Sequence, residues 1–240
     1  YSRLIEENKN KEKIAEKLAS FSARIVLTAH PTQFYTSNVL DIIDELRNLI
    51  DNNQIDDIDT TLQQLGLTSL GNAKKPTPLY EAKNIIHILR KTYYTAIGDL
   101  FQYIKSNVNN ESFDNYNIIK LGFWPGGDRD GNPFVTAQTT ADVADELRIN
   151  IMKCYYNDLK ALRKKLTFQG LQENFDDLVG SVYKAMFDVK SIVAYPEMIE
   201  KLMSIKHTLI KDYHSLYLDQ LELFIDKVHI FQINFATLDI

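Results

Sequence analysis

The sequence predicts a mostly helical protein with a few parallel strands, and three observations carry that expectation. Stripes of apolar residues recur at helical spacing over most of the chain. Three short apolar, β-branched runs, at 24–28, 118–124 and 228–240, are separated by long helical excursions. Parallel neighbours in a sheet require such crossovers, because the chain must return to the same end before it can pair again. No repeat of fixed period is visible, which argues against a helical solenoid.

After a charged opening helix, the run Arg24-Ile25-Val26-Leu27-Thr28 reads as a strand, stopped by Ala29-His30-Pro31-Thr32. Residues 24–37 thus form a strand–turn unit. A helix follows, with Val39, Ile42, Ile43, Leu46, Leu49 and Ile50 on one stripe and Ser37 available as its N-cap. The stretch 51–75 is polar, holds Gly66 and Gly71, and closes at Pro76 and Pro78; it reads as a surface connection. From Pro78 a long helix is expected, since Leu79, Ala82, Ile85, Ile86, Leu89, Tyr93, Ala96, Ile97, Leu100, Phe101 and Ile104 keep to one face. His87 lies beside that stripe and reads as a partly exposed helix histidine. Beyond an Asn-rich break, Ile118 to Trp124 is the second strand, ended by Pro125-Gly126-Gly127, so that 118–136 is a second strand–turn unit.

Three further helices are expected. One carries Val143, Leu147, Ile151, Tyr155, Leu159 and Leu162, the next Phe175, Leu178, Val182, Tyr183 and Met186, and the last runs from near Pro196 to Phe224. The final segment, 228–240, is apolar on both alternating faces, as a strand buried on both sides would be.

The 240 residues carry a formal net charge of -5, which argues against nucleic-acid binding because a phosphate backbone needs a concentrated cationic face. With 45% hydrophobic and 25% charged residues, the chain can bury a sizeable core. No run approaches the roughly 18 apolar residues needed to cross a bilayer. The first residues have no apolar signal region, so the expected location is cytoplasmic. The single Cys154 sits in an apolar helical pattern and reads as a core thiol.

Two motifs carry chemistry. In Val26-Leu27-Thr28-Ala29-His30-Pro31-Thr32-Gln33 a histidine stands at the C-terminal end of a strand, held by a proline that fixes the backbone. Barrel enzymes place catalytic groups there, and imidazole titrates near neutrality. A turn histidine bonded to backbone is the competing reading. The second motif is Gly122-Phe123-Trp124-Pro125-Gly126-Gly127-Asp128-Arg129-Asp130-Gly131-Asn132-Pro133. Gly126, Gly127 and Gly131 permit positive φ and close approach to a ligand, while Asp128, Arg129, Asp130 and Asn132 concentrate charge and hydrogen-bonding groups. An EF-hand fails, because the glycine comes at the fourth loop position and Thr139 occupies the twelfth. P-loop and dinucleotide spacings are both missing. A tight turn in which Arg129 pairs with neighbouring carboxylates is the alternative to ligand contact, and the two can coexist.

Together these blocks resemble the signatures of the phosphoenolpyruvate carboxylase family: a hydrophobic-Leu-Thr-Ala-His-Pro-Thr-Glu block, then a Phe-Trp-x-Gly-Gly-Asp-Arg-Asp-Gly-Asn-Pro block. The end, Phe235-Ala236-Thr237-Leu238-Asp239-Ile240, resembles the family strand that leads into Arg-Gln-Glu-Ser. Gln33 departs from the family's Glu. The resemblance implies a fragment of a helix-rich, distorted (β/α)₈ TIM-type barrel, cytoplasmic and typically homotetrameric, joining phosphoenolpyruvate and bicarbonate into oxaloacetate and phosphate with Mg²⁺ or Mn²⁺. By position it makes His30 the histidine of the carboxylation half-reaction. Trp124 and Arg129 fall beside the substrate, with Gly126, Gly127, Asp128, Asp130, Gly131 and Asn132 shaping the loop. It assigns no metal ligand to this chain, since the family's metal carboxylates and phosphate-binding arginines belong to later segments. On this reading residues 1–240 are one internal fragment without activity of its own; a non-catalytic helical module that binds anions or serves assembly is the alternative.

Overall fold

The computed structural model describes residues 11–28, 35–71, 77–108, 113–129, 132–188, 191 and 193–239. The elements are α1 (Lys11–Ser20), β1 (Ala23–Leu27), α2 (Ser37–Asp51), α3 (Ile55–Leu67), α4 (Pro78–Ile88), a π-helical turn (Leu89–Tyr93), α5 (Tyr94–Val108), β2 (Ile119–Phe123), α6 (Ala137–Lys165), α7 (Gln172–Ala185), α8 (Tyr195–Asp212), α9 (Leu218–Phe231) and β3 (Thr237–Leu238). Helix dominates, and the three strands form one parallel sheet in the order β1-β2-β3. In register, Leu27 lies opposite Phe123, and Phe123 opposite Leu238.

Helix α6 organises the core. Its Val143, Leu147, Ile151, Tyr155, Leu159 and Leu162 are all buried and recur at the helical period, against α4 on one side and α7 and α9 on the other. Each such side chain contributes about 1.5–3 kcal/mol of burial. A smaller cluster of Phe101, Val108, Phe113 and Ile118, with Leu18 of α1 packed on it, closes the lower edge of the sheet.

Four local expectations are corrected. The stretch 51–75 is not merely a connection: α3 forms within it, because Ile58, Thr61, Leu65 and Thr68 make a thin inward stripe and Asp56 and Asp57 favour the helix N-terminus. The N-cap of α2 is Thr36 in place of Ser37, its hydroxyl accepting from the Val39 N–H at 3.4 Å. The helix expected from near Pro196 to Phe224 is two helices. They part at a turn where His214, Ser215 and Tyr217 hold positive φ, and where the Tyr213 ring stacks on Phe168 at 4.8 Å.

The last correction concerns 228–240. Residues up to Phe231 are helical, and the strand shrinks to Thr237–Leu238. Leu221, Phe224, Ile225, Val228 and Phe231 continue a helical stripe into the core, and burying that stripe outweighs the β-like alternation of the same residues. Gln232 ends the helix at φ 50 and ψ -124, a conformation strained for a residue with a Cβ. Its carbonyl is held by the Tyr155 hydroxyl at 2.7 Å.

Candidate functional site at the strand ends

The parallel register carries two distant sequence blocks to one end of the sheet. The Trp124 N–H donates to the Leu27 carbonyl at 2.9 Å, which extends the β1–β2 ladder one step past β2. The His30 block therefore begins where β1 ends, beside the point at which the Trp124 block leaves β2. His30 and Gln33 themselves, like Asp130 and Gly131, lie outside the described residues.

The second block folds as consecutive tight turns. The Trp124 carbonyl accepts from the Gly127 N–H at 2.9 Å and the Asp128 N–H at 3.1 Å. The Asn132 carbonyl accepts from the Val135 N–H, and its side-chain oxygen accepts from the Phe134 N–H at 3.1 Å, an Asx turn. Thr136 then caps α6, and Thr140 Oγ1 donates to the Gly126 carbonyl at 2.8 Å, tying the turn to the helix. Trp124 is 44% exposed and Asp128 and Arg129 are exposed, so the ring and both charges face outward. Among the described residues Arg129 makes no ion pair.

The paired glycines also allow close packing within the protein. Gly126 has φ 77, and a Cβ there would meet Val143 Cγ2 at 2.5 Å. A Cβ on Gly127 would collide with the main-chain carbonyl of Asp239. The close approach is thus to α6 and to the end of β3.

One feature of this site is absent from the sequence reading. Arg24 on β1 forms an ion pair with Asp239 just after β3, passing over Gly122 of β2, where a Cβ would lie 2.9 Å from Arg24 Nε and 3.1 Å from Asp239 Oδ2. A glycine inside a strand is the signal that could have revealed it.

Other ionisable groups are built into the core around α9 and α6. Asp226 on α9, buried, accepts from Gln102 at 2.7 Å, Lys105 at 3.0 Å and the Tyr116 hydroxyl at 3.2 Å. Burial raises its carboxyl above the ordinary range, against the lowering effect of Lys105. Lys227, next in sequence, reaches the other way to Asp158 at 3.0 Å and lies 4.5 Å over the Tyr94 ring. His229 stacks on Tyr116 and hydrogen-bonds the Tyr195 hydroxyl through Nδ1; burial lowers its pKa against the opposing pull of Asp226. Cys154 is buried and its thiol is pushed up to about 12, again mainly by burial, as a core thiol requires. His87 lies 3.4 Å from Asp41. Among the described residues no group of three or more His, Cys, Asp or Glu could hold a metal ion, so these residues do not form a site fitting the implied Mg²⁺ or Mn²⁺. None of their helices is long and apolar enough to cross a membrane.

Comparison with known proteins places the chain in a family. The family model described as phosphoenolpyruvate carboxylase matches residues 1–194, including the opening helix that bears no motif. The phosphoenolpyruvate carboxylase of Histophilus somni is 27% identical, over 87% of this chain and 26% of its own length. That of Shewanella halifaxensis is 28% identical over 71% of this chain and 21% of its own length, and phosphoenolpyruvate carboxylase 4 of Arabidopsis thaliana is 25% identical over 78% and 20%. The chain thus spans about a quarter or less of the relatives it matches. Because that family model covers most of its length, this chain belongs to the phosphoenolpyruvate carboxylase family.

Proposed function

We propose that these 240 residues supply the histidine-bearing part of an enzyme that makes oxaloacetate and phosphate from phosphoenolpyruvate and bicarbonate. The observation that carries this reading is the pairing of β1 with β2, which brings the start of the His30 block beside Trp124 and its turn. The reaction passes through carboxyphosphate and the enolate of pyruvate, and the enolate then attacks the CO₂ released. His30, which follows β1 in the sequence, helps to hold or decompose carboxyphosphate, where an imidazole can donate or accept a proton near neutral pH. Trp124 walls the substrate and the outward Arg129 offers its planar fork to the anionic groups. A divalent ion, when bound, would supply neutralisation of charge developing on phosphate and enolate oxygens, held by carboxylates of other segments of the full-length protein. The surrounding protein is a cytoplasmic homotetramer built on a helix-rich (β/α)₈ barrel.

This division of labour predicts that residues 1–240 alone are inactive, since they do not bring together the groups that neutralise phosphoryl transfer. The test compares the purified 240-residue chain with the full-length protein by circular dichroism and a coupled oxaloacetate assay containing Mg²⁺, bicarbonate and phosphoenolpyruvate. A strongly helical spectrum without turnover for the chain, and turnover for the full-length protein, is the expected result. Turnover by the chain alone, abolished by His30→Asn, overturns the division of labour; a full-length protein that forms no oxaloacetate overturns the function.

A further inference from the structure

We infer that Arg24 and Asp239 form a positioning pair, a clamp across the sheet that fixes the Trp124 turn relative to the strand leading into the His30 block. At this point β3 pairs with β2 at Gly122↔Thr237 and Phe123↔Leu238, and the Asp239 N–H donates to the Phe123 carbonyl at 3.0 Å. β1 and β3 do not touch as strands, because β2 lies between them. The ion pair joins these outer strands directly.

Gly122 makes the clamp possible. Its missing side chain opens a short route over β2, with Arg24 Nε and Nη2 and Asp239 Oδ2 all within 2.9–3.1 Å of where a Cβ would be. The same Asp239 presents its main-chain carbonyl against Gly127, inside the turn that carries Trp124 and Arg129. One residue therefore touches both the cation of β1 and the backbone of the turn. The pair is partly exposed, with side chains 46% and 30% accessible, so its contribution to global stability is small. Its effect lies in position, to which turnover is far more sensitive than folding is.

The inference rests on the carboxylase reading for its kinetic consequence, and on the geometry alone for the clamp. The experiment uses the full-length protein with Arg24→Met, Asp239→Asn, the two combined, and Gly122→Ala, alongside Arg163→Ala as a surface control. Oxaloacetate formation and backbone amide exchange at Gly127 and Asp239 are both measured. Each single variant is expected to lower kcat about tenfold while KM for phosphoenolpyruvate stays within about twofold. The combined variant falls no further than either single one, and Gly122→Ala reproduces the effect. Amide exchange at both positions speeds up about tenfold. Losses that multiply in the combined variant, unchanged exchange in the single variants, or faster exchange with unchanged kcat would each overturn the inference. If the unaltered protein forms no oxaloacetate, the carboxylase reading falls, and the amide exchange then decides the clamp by itself.

Discussion

Lys227 on α9 and Arg129 at the strand ends are cations treated in opposite ways. Along α9, Asp226 and Lys227 are buried and both are answered: Asp226 by Gln102, Lys105 and Tyr116, Lys227 by Asp158 and the Tyr94 ring. Space is cleared for it, since a Cβ on Gly98 would meet Lys227 Cε at 2.7 Å. At the strand ends, Asp128 and Arg129 are exposed on a turn pinned by its backbone. A buried charge must be paired to be tolerated, so full pairing marks structure. An outward cation on a rigid turn costs nothing to leave open and is available to a ligand. The difference teaches that the density of charged residues does not locate a site; what counts is whether the fold has already used the charges.

The comparison is sharpest at His30. In the full-length protein His30→Asn is expected to lower oxaloacetate formation about a thousandfold, the scale of a lost acid–base group, while phosphoenolpyruvate binding and thermal stability stay near normal. Coupled kinetics with a ligand titration measure both; unchanged turnover would remove His30 from the mechanism. At the α9 seam the expected loss is in folding. Asp226→Ala leaves Lys105 and Gln102 facing an apolar gap and should cost about 3 kcal/mol by denaturant unfolding, with little effect on KM. A loss below about 1 kcal/mol would mean that the seam is not holding α5 to α9.

Arg129→Ala tests the open end of the comparison. Affinity for phosphoenolpyruvate should fall about tenfold with an unchanged melting temperature. Arg163→Ala, which removes only an exposed pair with Asp176 at 2.7 Å, should leave both unchanged. Equal silence of the two substitutions would reduce the second block to a loop.

The smallest expected effect is on pH dependence. Burial lowers the pKa of His229 in the folded state, so the native protein binds fewer protons than the unfolded chain between that lowered value and about 6.5. Stability should therefore decline as pH falls through this window, with Asp226 moderating the decline and Lys105 adding to it. His229→Phe keeps the stacking on Tyr116 and should flatten the melting-temperature profile between pH 7 and 5.5 by a few degrees. An identical slope in the variant would assign the pH dependence to other groups.

Much of the fold was legible from local physics. The α6 stripe from Val143 to Leu162 and the β1 run before His30 were readable because period and turn residues act over a few positions. The α3 helix was not, because its inward face is thin and its exposed Ile55, Leu62 and Leu67 break the pattern. The site was readable as two motif blocks, but the packing of Gly126 on Val143 and of Gly127 on Asp239 was not, because those neighbours are distant in sequence.

The sequence by itself determined where strands must stop, which faces of the helices are apolar, and which residues could do chemistry. Tertiary structure decided the rest, because the deciding contacts join residues far apart in the chain. Residues 228–231 fit both a strand and a helix, and only the core beside α6 selected the helix. Arg24 and Asp239 are 215 positions apart, so no local pattern links them; a parallel sheet with a glycine at its centre does.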